Sequence, residues 1–167
     1  MRTLFLTAVL VAVAAISLQA QHVPDDQITK GDPETVLSGI DVYHNTLKAI
    51  ITMYGKPTSE AKDPQGLPLY IWEKSGIKMQ LGTDYDNPNQ VYAVNVWGSK
   101  PQGKLGITGK GLALGADMAS VKKIYGDRIV QHHPDEAMVM FVEGTALTIG
   151  FDDHGHINHL ALVGEVE

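Results

Sequence analysis

The side chains able to do chemistry are imidazoles and carboxylates, because the chain has seven histidines and no cysteine. Thiol catalysis, disulfides, thiolate-ligated zinc and a lipid-acceptor cysteine are excluded together. The densest group is Asp152-Asp153-His154-Gly155-His156, followed by His159. Asp153, His154, His156 and His159 are candidate ligands for zinc, nickel or copper, since imidazole and carboxylate suit all three. Spacing works against the set. In a hairpin turning at 153–156, His156 pairs with Asp153 on one face. His159 lies beside Gly150 on the other face, so three imidazoles converge only around a bulge. The simpler expectation is polar turn chemistry, with no resident metal or other cofactor. Gln131-His132-His133-Pro134-Asp135-Glu136 reads as a solvated loop stopped by proline.

Catalysis has less support. No serine sits in a Gly-x-Ser-x-Gly elbow. The carboxylate pairs Asp25-Asp26, Asp84/Asp86 and Asp152-Asp153 fall in a tail or in turns, where solvation keeps them ordinary and a general acid needs the reverse. The run Gly106-Ile107-Thr108-Gly109-Lys110-Gly111 is glycine-rich like a phosphate loop, but it lacks the Gly-x4-Gly-Lys-Ser/Thr spacing and a preceding buried strand. No nucleophile, base and orienting group assemble, so an enzyme is not expected.

The elements that must position these residues follow from periodicity. Leu47, Ile50, Ile51 and Tyr54 form an i, i+3, i+4, i+7 stripe, and Met118, Val121 and Tyr125 repeat it 71 residues on, with Ile124 alongside. Asn45 and Asp117 are suitable N-caps, and Gly55 and Gly126 end the two helices. Three strand-like segments follow each helix, with glycines in step: Gly76 with Gly144, Gly82 with Gly150, Gly98 with Gly164. The predicted fold is therefore α+β: two tandem repeats, each a short helix followed by a three- to four-stranded antiparallel sheet, with the helices on one sheet face.

Alternation predicts the registers. Ile149 lies opposite Leu160 and Leu147 opposite Leu162, while Met79 and Leu81 meet Val96 and Val94 across the longer loop 84–89. The second sheet face then carries Lys78, Gln80, Ala93, Asn95 and Trp97, and Ala146, Thr148, His159, Ala161 and Val163. Small and polar groups mixed with an aromatic suit a shallow docking surface. Lys78, Gln80, Asn95, Trp97, Thr148 and His159 are the candidate partner-binding residues.

Composition sets the outer bounds. The 167 residues are 44% hydrophobic and carry a net charge of −6, so the chain is globular and repels phosphate backbones on average; nucleic acid is not an expected partner. Arg2 precedes an uncharged run from Leu4 to Ile16, ending near Ala20. This reads as a cleaved secretory signal, being shorter than the roughly 20 apolar residues of a membrane span. The expected organisation is a signal peptide over 1–20, a flexible N-terminal segment over 21–35, one repeat over 36–98, a linker over 99–104 and a second repeat over 105–167. The expected location is periplasmic or secreted, with no membrane span after cleavage.

The run from Ile40 to Met53-Tyr54-Gly55-Lys56-Pro57, and its echo ending Ile124-Tyr125-Gly126-Asp127, resemble the helix and turn of the β-lactamase-inhibitor-protein-like superfamily. That superfamily also contains small outer-membrane assembly lipoproteins of the SmpA/OmlA type. The resemblance spans most of residues 36–164. It implies short helices before antiparallel sheets and a non-catalytic role in binding a protein or a cell-envelope component. It differs here in lacking both the lipid-acceptor cysteine and the inhibitor's disulfides, and it transfers no contact residue.

Overall fold

A computed structural model describes residues 33–84, 86–126, 129–133, 135–140 and 144–164; the expected signal peptide lies outside them. In chain order come a hairpin, β1 (Val36–Leu37) and β2 (Ile40–Asp41), the helix α1 (Leu47–Tyr54), and the strands β3 (Ser59–Lys62), β4 (Pro68–Lys74), β5 (Ile77–Thr83) and β6 (Val91–Trp97). The helix α2 (Met118–Tyr125) precedes β7 (Val130–His133), β8 (Glu136–Met140), β9 (Ala146–Phe151) and β10 (Ile157–Val163).

The eight long-sheet strands form one antiparallel sheet in the order β3-β4-β5-β6-β10-β9-β8-β7. This corrects the expected fold class: the protein is mostly β, and it is not two tandem repeats that each carry their own three- to four-stranded sheet. The physical reason lies at the centre. Left apart, β6 and β10 would each present a row of unpaired N–H and C=O groups. They pair instead, Ala93–Trp97 running against His159–Val163. A single core results, in which Met79, Leu81, Val94 and Val96 pack with Leu147, Ile149, Leu160 and Leu162.

Both hairpin registers follow the alternation. Leu160 faces Ile149 and Leu162 faces Leu147, while Met79 faces Val96 and Leu81 faces Val94. Residues 130–133 are not loop but the edge strand β7, antiparallel to β8. The other edge, β3, is exposed throughout and reads Ser-Glu-Ala-Lys, a charged sequence that discourages further pairing.

Each helix lays its stripe on the core: Ile50 from α1 and Val121 and Tyr125 from α2 are buried, with Leu47, Ile51, Tyr54, Met118 and Ile124 packed beside them. Asp117 caps α2 through its carboxylate, which accepts from the Ser120 N–H at 2.9 Å. The cap of α1 is Thr46 and not Asn45. The Asn45 side chain instead accepts from the Asp41 N–H at 2.8 Å, closing the preceding turn.

Two segments without helix or strand periodicity complete the core. Leu37 and Ile40 of the first hairpin are fully buried; its turn, Ser38-Gly39, has positive φ at both residues, as a two-residue type I′ turn demands. Residues 99–116 run back across the sheet end, burying Leu112 and Leu114. The Gly115 N–H bonds the Ile157 carbonyl at 2.7 Å and the Ile157 N–H bonds the Ala116 carbonyl at 2.7 Å, stitching this segment to the start of β10. Order also begins earlier than expected, since Glu34, placed by the sequence reading in a flexible segment, is 2% exposed.

Candidate functional site: the second face of the sheet

The helices and the first hairpin all contribute to the core on one sheet face. The opposite face is built in cross-strand rows. In the first, Lys78 of β5 faces Trp97 of β6, which faces His159 of β10, which faces Gly150 of β9. The indole and imidazole rings stack with centroids 4.7 Å apart and planes 4° from parallel. Lys78 Nζ lies 5.5 Å from the indole centroid, within cation–π range. Because β5 and β10 flank β6 on opposite sides, Lys78 and His159 cover the two faces of the indole, leaving its edge outward.

Gly150 makes room for this ladder. A Cβ there would lie 3.1 Å from the His159 Cβ, closer than side chains pack without yielding. The second row runs Gln80, Asn95, Ala161, Thr148 and Met138, and the third Gly82, Ala93, Val163 and Ala146. A register shift after Gly82 accompanies the placement of the Tyr92 ring over that glycine. Ala93 and Ala161 are buried without belonging to the core cluster, so the middle of this face carries small side chains flanked by the longer ones around them.

All six candidate partner-binding residues fall on this face, and two are less accessible than expected. Thr148 is 7% exposed. Burial lowers the His159 imidazole from its ordinary 6.5 to about 4, and its Nε2 is buried with no hydrogen-bond partner among the described residues. His159 is therefore neutral in the native protein. A group with an ordinary pKa near 6.5 when unfolded and about 4 when folded takes up its proton preferentially in the unfolded state, so stability is full above pH 6.5 and falls towards pH 4. At about 1.4 kcal/mol per unit the loss approaches 3 kcal/mol. Urea unfolding at pH 7 and pH 4.5 should show this slope in the wild type and a shallower one in His159→Gln; equal slopes would refute it.

The histidine-rich turn is separate. Asp152 Oδ1 accepts from the His154 and His156 N–H groups, each at 2.9 Å, and these bonds lower the Asp152 carboxyl below its usual range, the His156 N–H first. The His156 ring is 3.9 Å from the same carboxylate. His159 turns away to stack on Trp97, and among the described residues no three histidine or acidic side chains are grouped to hold a metal ion. What the sequence reading missed is the stacking itself, since alternation places Trp97 and His159 on a face without showing that β6 and β10 are neighbours.

No protein-family model matches the chain. No curated protein sequence matches it. Two solved structures are similar in fold. One is a DUF4309 family protein (YjgB) from Bacillus subtilis, at 15% identity and a TM-score of 0.48, covering 76% of this chain and 83% of that one. The other is an extracellular protein containing an SCP domain from Bacillus anthracis, at 9% identity and a TM-score of 0.51, covering 86% of this chain. The match takes in 50% of that longer chain. Among the described residues no helix is long and apolar enough to cross a membrane.

Proposed function

We propose that this chain is a non-catalytic binding module, secreted or periplasmic, that recognises a protein or cell-envelope component through the second face of its sheet. The role is the one implied by the resemblance to the β-lactamase-inhibitor-like superfamily, and the secreted location by the leader-like residues 1–20. That the Bacillus anthracis protein of similar fold is extracellular accords with that location. The observation that carries the reading is the face itself: small side chains, Ala93, Ala146 and Ala161, lie off the core in the rows beside Lys78, Gln80, Asn95 and the indole edge of Trp97. Such a surface admits close approach by another backbone and offers polar groups at its margin. With both ring faces of Trp97 covered, the contact is edge-on, which suits a polypeptide better than a ligand that stacks flat on an aromatic.

Asn95→Arg tests the proposal, because it projects a long cation over the small side chains in the middle of the face. Its effect on stability should stay within about 0.5 kcal/mol, as for most partly exposed positions. Affinity capture from the native envelope fraction, read by mass spectrometry, should recover a partner with the wild type and lose it with the variant. The purified pair should bind at least about 30-fold more weakly, or 2 kcal/mol. Equal recovery and equal affinity would remove this face from the proposal.

A further inference from the structure

The glycine-rich run 106–111 does not cradle a phosphate; it is wrapped around a carboxylate from the chain itself. Glu34 Oε1 accepts from the Gly109 N–H at 3.1 Å and the Val36 N–H at 3.2 Å. Glu34 Oε2 accepts from the Lys110 N–H at 3.1 Å and the Tyr125 hydroxyl at 2.9 Å. Four donors on a 2% exposed side chain make a built site, since a buried carboxylate is tolerated only when its oxygens are satisfied.

The surroundings are shaped for that occupant. A Cβ on Gly109 would come within 2.8 Å of Glu34 Oε1, so the glycine leaves space for the carboxylate and not merely for a turn. Thr108 Oγ1 lies 3.2 Å from the Tyr125 hydroxyl and accepts from the Leu112 N–H at 3.1 Å, fixing loop and tyrosine together. The peptide strap bearing Glu34 is held along its length: the Ser38 N–H bonds the Ile107 carbonyl at 2.8 Å, and the Gly109 N–H also reaches the Val36 carbonyl at 2.8 Å. Tyr54, at the end of the other helix, donates to the Ser38 carbonyl. Both helix-terminal tyrosines thus hold the strap.

We propose that residues 108–110 and Tyr125 form a carboxylate-binding site whose resident ligand is Glu34, closing the strap 33–42 as a latch, and that the site accepts a free small monocarboxylate when that side chain is removed. Acetate is the matching probe, because its methyl and carboxylate correspond to the Glu34 Cγ and Cδ groups lost in Glu34→Ala. The full chain carrying this substitution should be destabilised. Replacing chloride by acetate at constant ionic strength, up to 100 mM, should shift its folding equilibrium about tenfold if the site half-saturates near 10 mM. The Gly109 and Lys110 amide resonances should move saturably in the variant and stay fixed in the wild type, and benzoate, too large for the enclosed space, should do neither. Adding Tyr125→Phe should weaken the acetate effect.

If Glu34→Ala is unfolded in chloride, acetate-induced folding gives the same readout. A second variant, Glu34→Gln, retains the shape but replaces one acceptor oxygen by an NH2 group, so exchange of the Val36 or Lys110 amide should accelerate relative to that of the Ser38 amide. Acetate acting no differently from chloride on Glu34→Ala, or equally on the wild type, would overturn the proposal, as would unchanged relative exchange in Glu34→Gln.

Discussion

Leu162→Ala is expected to destabilise the protein by about 3–5 kcal/mol, because it empties a fully enclosed position at the centre of the sheet. Leu162 has no exposed surface; it faces Val94 across one strand boundary and Leu147 across the other. The loss combines the transfer free energy of the deleted carbons with the cavity left behind, and a residue clamped between two paired strands has little freedom to collapse inward. Thr148→Ala supplies the contrast. Although Thr148 is only 7% exposed, it stands on the second face, outside the core cluster, and should cost less than about 1 kcal/mol. Urea denaturation of the two variants checks the assignment of faces directly. Equal losses would show that the division between the core face and the second face is wrong.

Gly115→Ala is the second large effect, expected at about 3–4 kcal/mol from two causes acting at one atom. The residue has φ of 81°, where an L side chain is strained. The added Cβ would also lie 2.6 Å from the Ser99 carbonyl oxygen, and a backbone atom cannot swing aside as a flexible side chain does. Relief requires residues 113–116 to move, breaking the bonds that tie Gly115 and Ala116 to Ile157. Thermal unfolding should detect the loss, and amide exchange at Ile157 should rise more than at Leu162. Gly155→Ala is the control: it has φ of 77° but open space around the missing Cβ, so it should show the strain alone. Similar losses at both glycines would rule out the contact with Ser99 as the larger cause.

The parts of this fold legible in the sequence are those governed by local period. The helical stripes through Ile50 and Val121, and the hairpin registers pairing Leu147 with Leu162 and Leu81 with Val94, follow from spacing alone. Alternation also assigns Trp97 and His159 to one face. It says nothing about which strands are neighbours, so the β6–β10 pairing, and with it the single sheet, was not legible. The strap and the segment 99–116 were missed for another reason: Leu37, Ile40, Leu112 and Leu114 are buried by turns and bridges with no repeating period. Glu34 illustrates the limit most clearly, since a lone acidic residue beside a proline reads as solvated tail until its partners, some 75 residues away, are in view.

The strand that joins the sheet at its centre is also, among the described strands, the furthest along the chain. β10 supplies both the partner of β6 and the partner of β9, so the middle of the sheet is absent until residue 163 is available. Bringing Trp97 to His159 closes a loop of about 60 residues, an entropic cost met before the long-range contacts repay it. Formation of the sheet is consequently concerted: without β10 the β5–β6 and β8–β9 hairpins share no common core. Refolding should be slower than for helical proteins of this length, and Leu162→Ala should slow it, whereas a substitution on the outer strand β3 should leave its rate unchanged.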